Sequence, residues 1–119
     1  ISVTRNQVGE LEMKLFTKSV LKRLSKIGHH AESEMDEIDV SLKLFNSWGG
    51  KTWYIYEYNE ATGEAFGLAN LGDYQNAELG YFNVKELIRA LGRKLERDMY
   101  FSTIKLKELY DGVRLGKHF

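Results

Sequence analysis

Four carboxylates stand where chemistry would need them: Glu57, Glu78, Glu96 and Asp98, each on or beside a stretch that reads as strand and is rich in aromatic residues. Grouped around a divalent ion they would suit Mg²⁺ or Mn²⁺ and a hydrolase or nuclease reaction, because hard cations take oxygen ligands. A simpler reading competes for Glu57. It alternates with Trp53 and Ile55 and so shares their face, and a carboxylate set among apolar groups needs a partner. Arg97 is the obvious one, and a Glu57–Arg97 ion pair would tie the segment Leu95–Phe101 to the sheet. The histidines offer less. His29 and His30 are adjacent, with Glu32 and Glu34 close by, yet neighbouring side chains diverge on regular backbone and the polar loop supplies no fixed geometry for a metal. His118 is one residue from the end. No Gly-rich phosphate loop, no Ser/His/Asp arrangement and no cofactor motif appears. No metal site or cofactor is therefore expected.

The aromatic stretch Thr52–Tyr58 has its own two readings. Tyr54, Tyr56 and Tyr58 fall on one face by strand alternation, near Lys43 and Lys51 in sequence, and such a row can stack single-stranded bases. It can equally be a covered second core. Glu60, Glu64, Asp73 and Glu78 would repel phosphates there.

These residues need elements to hold them. Ile38, Val40, Leu42 and Leu44 alternate with polar residues as a half-buried strand does. Gly49-Gly50 marks a hairpin turn before the aromatic strand. Asn59–Gly63 is a second turn, and Glu64–Asn70 and Ala77–Phe82 read as further strands. Each has an interior glycine, Gly67 and Gly80, which marks a bulge or a close approach; an aromatic ring from the preceding strand is expected over Gly67. Thr17 is a good N-cap for a basic amphipathic helix that Gly28 would end. Asn83 caps a second helix ending at Gly92, and Thr103 would cap a last one stopped by Gly112. The expected fold is α+β, an antiparallel meander of about four strands with an N-terminal helix and C-terminal helices packed on it.

Size and charge bound the rest. The chain has 119 residues, room for one domain, with 43% apolar side chains, and its 17 basic and 17 acidic groups give zero net charge. A global attraction to polyanions is absent. The charges are still uneven: Lys18, Lys22, Arg23 and Lys26 precede an acidic run, Glu32 to Asp39. There is no cysteine, so disulfides and thiolate chemistry are excluded. No apolar run reaches the roughly 18 residues of a membrane span, and no signal-peptide pattern opens the chain. A cytoplasmic protein without a membrane partner is the default expectation. Residues 1–12 lack a clear period and read as a leader, vector remnant or frayed extension, with Ile1–Thr4 as a first strand the other reading. Residues 13–112 form the expected domain and 113–119 a tail.

Four passages resemble one family. WYIYEYNEATGEAFGL from Trp53, ELGYFNVKEL from Glu78, LERDMYF from Leu95 and the opening MKLFTKSVLKRLSKIG from Met13 are together similar to the bacterial family catalogued as domain of unknown function twenty-nine fifty-eight. The likeness runs from about Met13 to Leu109. One departure is Lys94, where the family's pattern has a proline. The resemblance implies a cytoplasmic protein accessory to plasmids and other mobile elements, and no known activity. Its motif positions in this chain are Trp53, Tyr54, Glu57, Phe66, Gly67, Glu78, Gly80, Tyr81, Phe82, Glu96, Arg97 and Asp98. With no catalytic set in view, the expected function is a non-enzymatic module that engages a protein partner through an aromatic–acidic surface. A single-stranded nucleic-acid binder and a carboxylate-based hydrolase are the alternatives.

Overall fold

The computed structural model describes residues 3–119. Its centre is an antiparallel sheet of five strands: β2 (Leu42–Asn46), β3 (Thr52–Tyr58), β4 (Glu64–Asn70), β5 (Glu78–Asn83) and β6 (Leu95–Arg97), in the order β5-β4-β3-β2-β6. A second, two-stranded sheet pairs β1 (Asp39–Val40) with β7 (Ile104–Lys105). The fold is α+β as expected. The strand count is higher because Leu95–Arg97 joins the sheet beside β2, and because Ser41 interrupts the alternating run Ile38–Leu44. Ile38 and Val40 then pack on one face of the large sheet, Leu42 and Leu44 on the other.

Helices cover both faces. On one side α1 (Arg5–Leu15), α2 (Lys18–Arg23) and α3 (Val84–Leu91) bury Val8, Leu15, Val20, Val84 and Ile88 against Leu42, Leu44, Trp53 and Ile55. On the other, α4 (Leu106–Arg114) buries Leu106, Leu109 and Val113 against Tyr54, Tyr56 and Leu68. A central strand buried on both faces explains why Thr52–Tyr58 has no polar side.

Several boundaries differ from expectation, each for a local reason. Thr4 caps α1 with a reciprocal box to Gln7. The segment expected to be a poorly ordered extension thus carries a helix, whose Val8 is buried and whose Glu12 accepts from the Tyr58 hydroxyl. Of the strand reading for Ile1–Thr4, Ile1 and Ser2 lie outside the described residues. Thr17 does cap α2 through the Val20 N–H, 3.3 Å away. The helix stops at Arg23, well before Gly28, because Ser25 pairs with β3 beyond the end of β2: its N–H donates to Tyr56 C=O (3.1 Å) and its C=O accepts from Tyr58 N–H (2.9 Å). The last helix begins at Leu106, not after Thr103. Gly112 lies inside it, and Phe119 packs against Gly112 and the second core, so residues 113–119 are not a free tail.

The alternation of β3 breaks in its middle. Ile55 pairs with Gly67 but Glu57 pairs with Phe66, so one extra residue is accommodated between them. A bulge of this kind turns every later side chain to the opposite face. Tyr58 consequently joins Trp53 and Ile55 on the α1 side, while Tyr56 and Glu57 both lie on the α4 side. Gly67 sits opposite the bulge, and what approaches it is backbone rather than an aromatic ring: a Cβ there would lie 1.8 Å from the Tyr54 carbonyl oxygen.

Candidate functional site

Glu57 is the one buried charged residue among those described, 3% exposed. The bulge aims it at the loop after α2 instead of at Arg97. Gly28 N–H donates to Oε1 (3.2 Å), His30 N–H donates to Oε2 (2.7 Å), and His30 Nδ1 lies 3.0 Å from Oε2. A carboxylate accepting two backbone N–H groups completes its set with a third donor, so the His30 Nδ1 carries a proton toward it. The His30 ring is fixed further by edge contacts to Tyr56 (5.6 Å between centroids) and His29 (4.7 Å). Beside it opens a cleft of about 210 Å³, walled by Tyr56, Phe66, Leu79 and Tyr81.

This oriented histidine is what sequence reasoning missed. In sequence the loop offers no fixed geometry because the residue that supplies it is 27 positions away. The chemistry available is narrow: one oriented imidazole ring lining a largely apolar cleft. Among the described residues no three His, Cys, Asp or Glu side chains are grouped to hold a metal ion.

The motif positions separate into structural and exposed sets. Trp53, Tyr54 and Gly67 are buried, and Phe66 and Phe82 are partly buried against the two cores. Tyr81 is 61% exposed and meets Phe66 edge-on at 4.7 Å. Glu78 and Glu96 are exposed, on β5 and β6, the two opposite edges of the sheet. Four strand spacings of about 4.8 Å separate those edges, so the four carboxylates of the hydrolase reading are not brought together. Asp98 is held by Lys43 (3.4 Å) and accepts from Tyr100 N–H (2.9 Å), making the turn after β6. Arg97 finds no carboxylate; its buried Nε has no hydrogen-bond partner among the described residues.

The tyrosine row expected to stack bases does not exist as a surface. Tyr54, Tyr56 and Tyr58 are all buried and are divided between the two cores. Lys43 is engaged by Asp98 and the Phe119 carbonyl, and Lys51 is exposed in the turn before β3. Burial leaves a titration signature. It pushes the Tyr54 phenol up to about 12, with the charge of Asp98 adding to it. Burial raises Tyr56 and Tyr58 as well, helped by Glu57 and Tyr81 for the first and by the Glu12 hydrogen bond for the second. The folded chain therefore holds these protons more tightly than the unfolded chain, whose tyrosines titrate near 10. Their contribution to stability is complete below pH 10 and is lost as the pH rises from about 10 through 12. Melting temperatures measured across that window are expected to fall steeply, with phenolate absorbance appearing at the unfolding step. Phenolate absorbance completed near pH 10 in the folded protein would contradict it.

Fold and cleft together define a small α+β module whose distinctive chemistry is a carboxylate-fixed histidine beside a sheet edge. The chain belongs to the family described as Protein of unknown function (DUF2958), whose model matches residues 15–111. Comparison with curated proteins and with solved structures returns no match. No helix among the described residues is long and apolar enough to cross a membrane.

Proposed function

We propose that this protein is a non-enzymatic accessory module that takes an extended segment of a protein partner onto the free edge of β5. The single observation behind this reading is the orientation of that edge. Val84 N–H bonds Gly63 C=O (2.8 Å), which sets the ladder between β4 and β5 so that Gly80 and Phe82 bond inward. Leu79 and Tyr81 then turn their N–H and C=O groups outward, with no hydrogen-bond partner among the described residues. An open edge of this length is an aggregation hazard unless it is short, blocked or used. Addition of a partner strand is the standard use.

The surroundings fit such a guest. Tyr81 and the cleft beside it accept an apolar side chain, the His30 ring in the cleft wall offers a polar contact, and the exposed Glu78 favours a basic residue on the partner. On this reading the aromatic–acidic surface expected from the motif comes down to Glu78, Tyr81 and the cleft. The setting, a bacterial mobile element and its host's cytoplasm, rests on the family resemblance alone.

The test uses Tyr81→Pro, which removes an outward N–H that the sheet itself does not use; edge strands tolerate proline in such positions. In pull-downs from a bacterial host, wild type and a Gly80→Ala control are expected to retain the same partner and Tyr81→Pro to lose it. Retention by Tyr81→Pro, or no partner for wild type, would sink the proposal.

A further inference from the structure

The opposite edge of the sheet carries a different surface. Strand β6 is three residues long, and its ladder to β2 is set by Ser47 N–H to Lys94 C=O and Asp98 N–H to Lys43 C=O, both 3.0 Å. Two adjoining clefts flank it. One is lined by Lys14 and Leu15 of α1, Arg93, Leu95, Glu96 and Arg97. The other is lined by Phe45, Arg97, Asp98, Met99 and Tyr100 together with Lys43. Arg97 belongs to both.

Three features of this edge coincide. Lys14, Arg93, Lys94 and Arg97 have no acidic partner within 4.0 Å among the described residues, and the carboxylates lining the two clefts are Glu96 and the Asp98 that Lys43 already holds. Arg97 lines both clefts and, among the described residues, no carboxylate neutralises its charge; its Nε is buried without a partner there. Finally, exposed aromatic rings stand at both ends of the track: Trp48, 81% exposed with Lys94 5.8 Å from its ring centroid, and Tyr100, 95% exposed. Lys43, beside Tyr100, and Asn46, where the turn that carries Trp48 begins, are three residues apart along β2, roughly 10 Å at strand rise.

We infer that this edge is a binding site for single-stranded nucleic acid. Bases stack on Trp48 and Tyr100, and backbone phosphates lie against the cationic groups of Lys14, Arg93, Lys94 and Arg97. A duplex keeps its bases stacked on one another and cannot use the two rings. An acidic polypeptide would use the cations but has no need of exposed ring faces. The surface is separate from the buried tyrosines and from the β5 edge, so the molecule has one edge for a protein and the other for a nucleic acid.

The experiment is a titration of the full chain with an oligothymidylate of about twelve nucleotides, a duplex of equal length and oligoglutamate, at several salt concentrations, read by anisotropy and by tryptophan fluorescence. Trp53 is buried, so quenching reports on Trp48. Saturable binding of the single strand is expected, with log affinity falling by about 0.7 per phosphate contacted for each unit of log salt. Trp48→Ala and Tyr100→Ala are each expected to weaken it at least about fivefold, with unchanged melting temperature because both rings are exposed. Arg97→Gln should weaken binding and flatten the salt slope. The assignment is overturned by no saturable binding at low salt, by duplex or oligoglutamate binding as tightly as the single strand, or by indifference to both aromatic substitutions.

Discussion

Gly67→Ala is expected to abolish cooperative folding. An added Cβ would stand 1.8 Å from the Tyr54 carbonyl oxygen, 2.8 Å from its carbon and 3.0 Å from Ile55 Cα. All three are backbone atoms of the central strand, held by ladders on both sides, so no side chain can swing away to make room. Relief requires β3 and β4 to separate at the bulge that places Glu57. The loss is expected to exceed about 4 kcal/mol, in the range that marks a broken backbone constraint rather than a repacked side chain. Gly80→Ala is the matched control, one strand over and directly opposite Gly67 in the ladder. Its Cβ would meet nothing within 4 Å, and alanine in a strand is favoured over glycine by up to about 1 kcal/mol. Denaturant titration of the two variants decides the matter. A folded Gly67→Ala with near-native stability would show that the close contact across the bulge is wrong.

The second large effect is expected at Glu57. Glu57→Ala leaves two backbone N–H groups and the His30 ring N–H without their acceptor in a buried setting. Removing one partner of such a cluster costs about 3–5 kcal/mol, which in a domain of this size lowers the melting temperature by roughly 10–20 °C. Glu57→Gln keeps one acceptor oxygen and is expected to lose about half as much. A double-mutant cycle with His30→Ala measures the coupling directly, and a value of at least about 1 kcal/mol is expected for groups in contact. Additive single effects would separate the histidine from the carboxylate and remove the oriented ring from the account.

These two residues also show where the sequence was legible. Glycine within a strand signalled a close approach at position 67, and the approach exists. Its agent is the neighbouring backbone, and nothing in a string of residue types distinguishes backbone from ring. Alternation correctly delimited the central strand, yet counting by twos carried Glu57 to the face of Trp53, because a bulge has no composition of its own. From that one slip follow the misplaced partner Arg97 and the single tyrosine face. Two of three caps read well: Thr17 and Asn83 both accept from the N–H three residues on, whereas Thr103 caps nothing because α4 starts only after Lys105. Helix ends read poorly wherever tertiary pairing intervened, as when Ser25 left α2 to extend the sheet. The helix α1 escaped notice although Val8, Leu11 and Leu15 stand at the i, i+3 and i+7 spacing of a helical stripe and pack into the core. The Glu57–His30 contact was invisible for the reason that long-range contacts usually are: neither residue has a neighbour in sequence that announces the other.

As proposed, β5 is a docking edge for a partner strand. Amide hydrogen exchange on the complex with the captured partner tests it most directly, residue by residue. The amides of Leu79 and Tyr81 point away from the sheet and should exchange freely in the isolated protein, then become protected when the partner strand bonds them, while those of Gly80 and Phe82 are protected in both states. Leu79 and Tyr81 amides that stay unprotected in the complex would contradict the account.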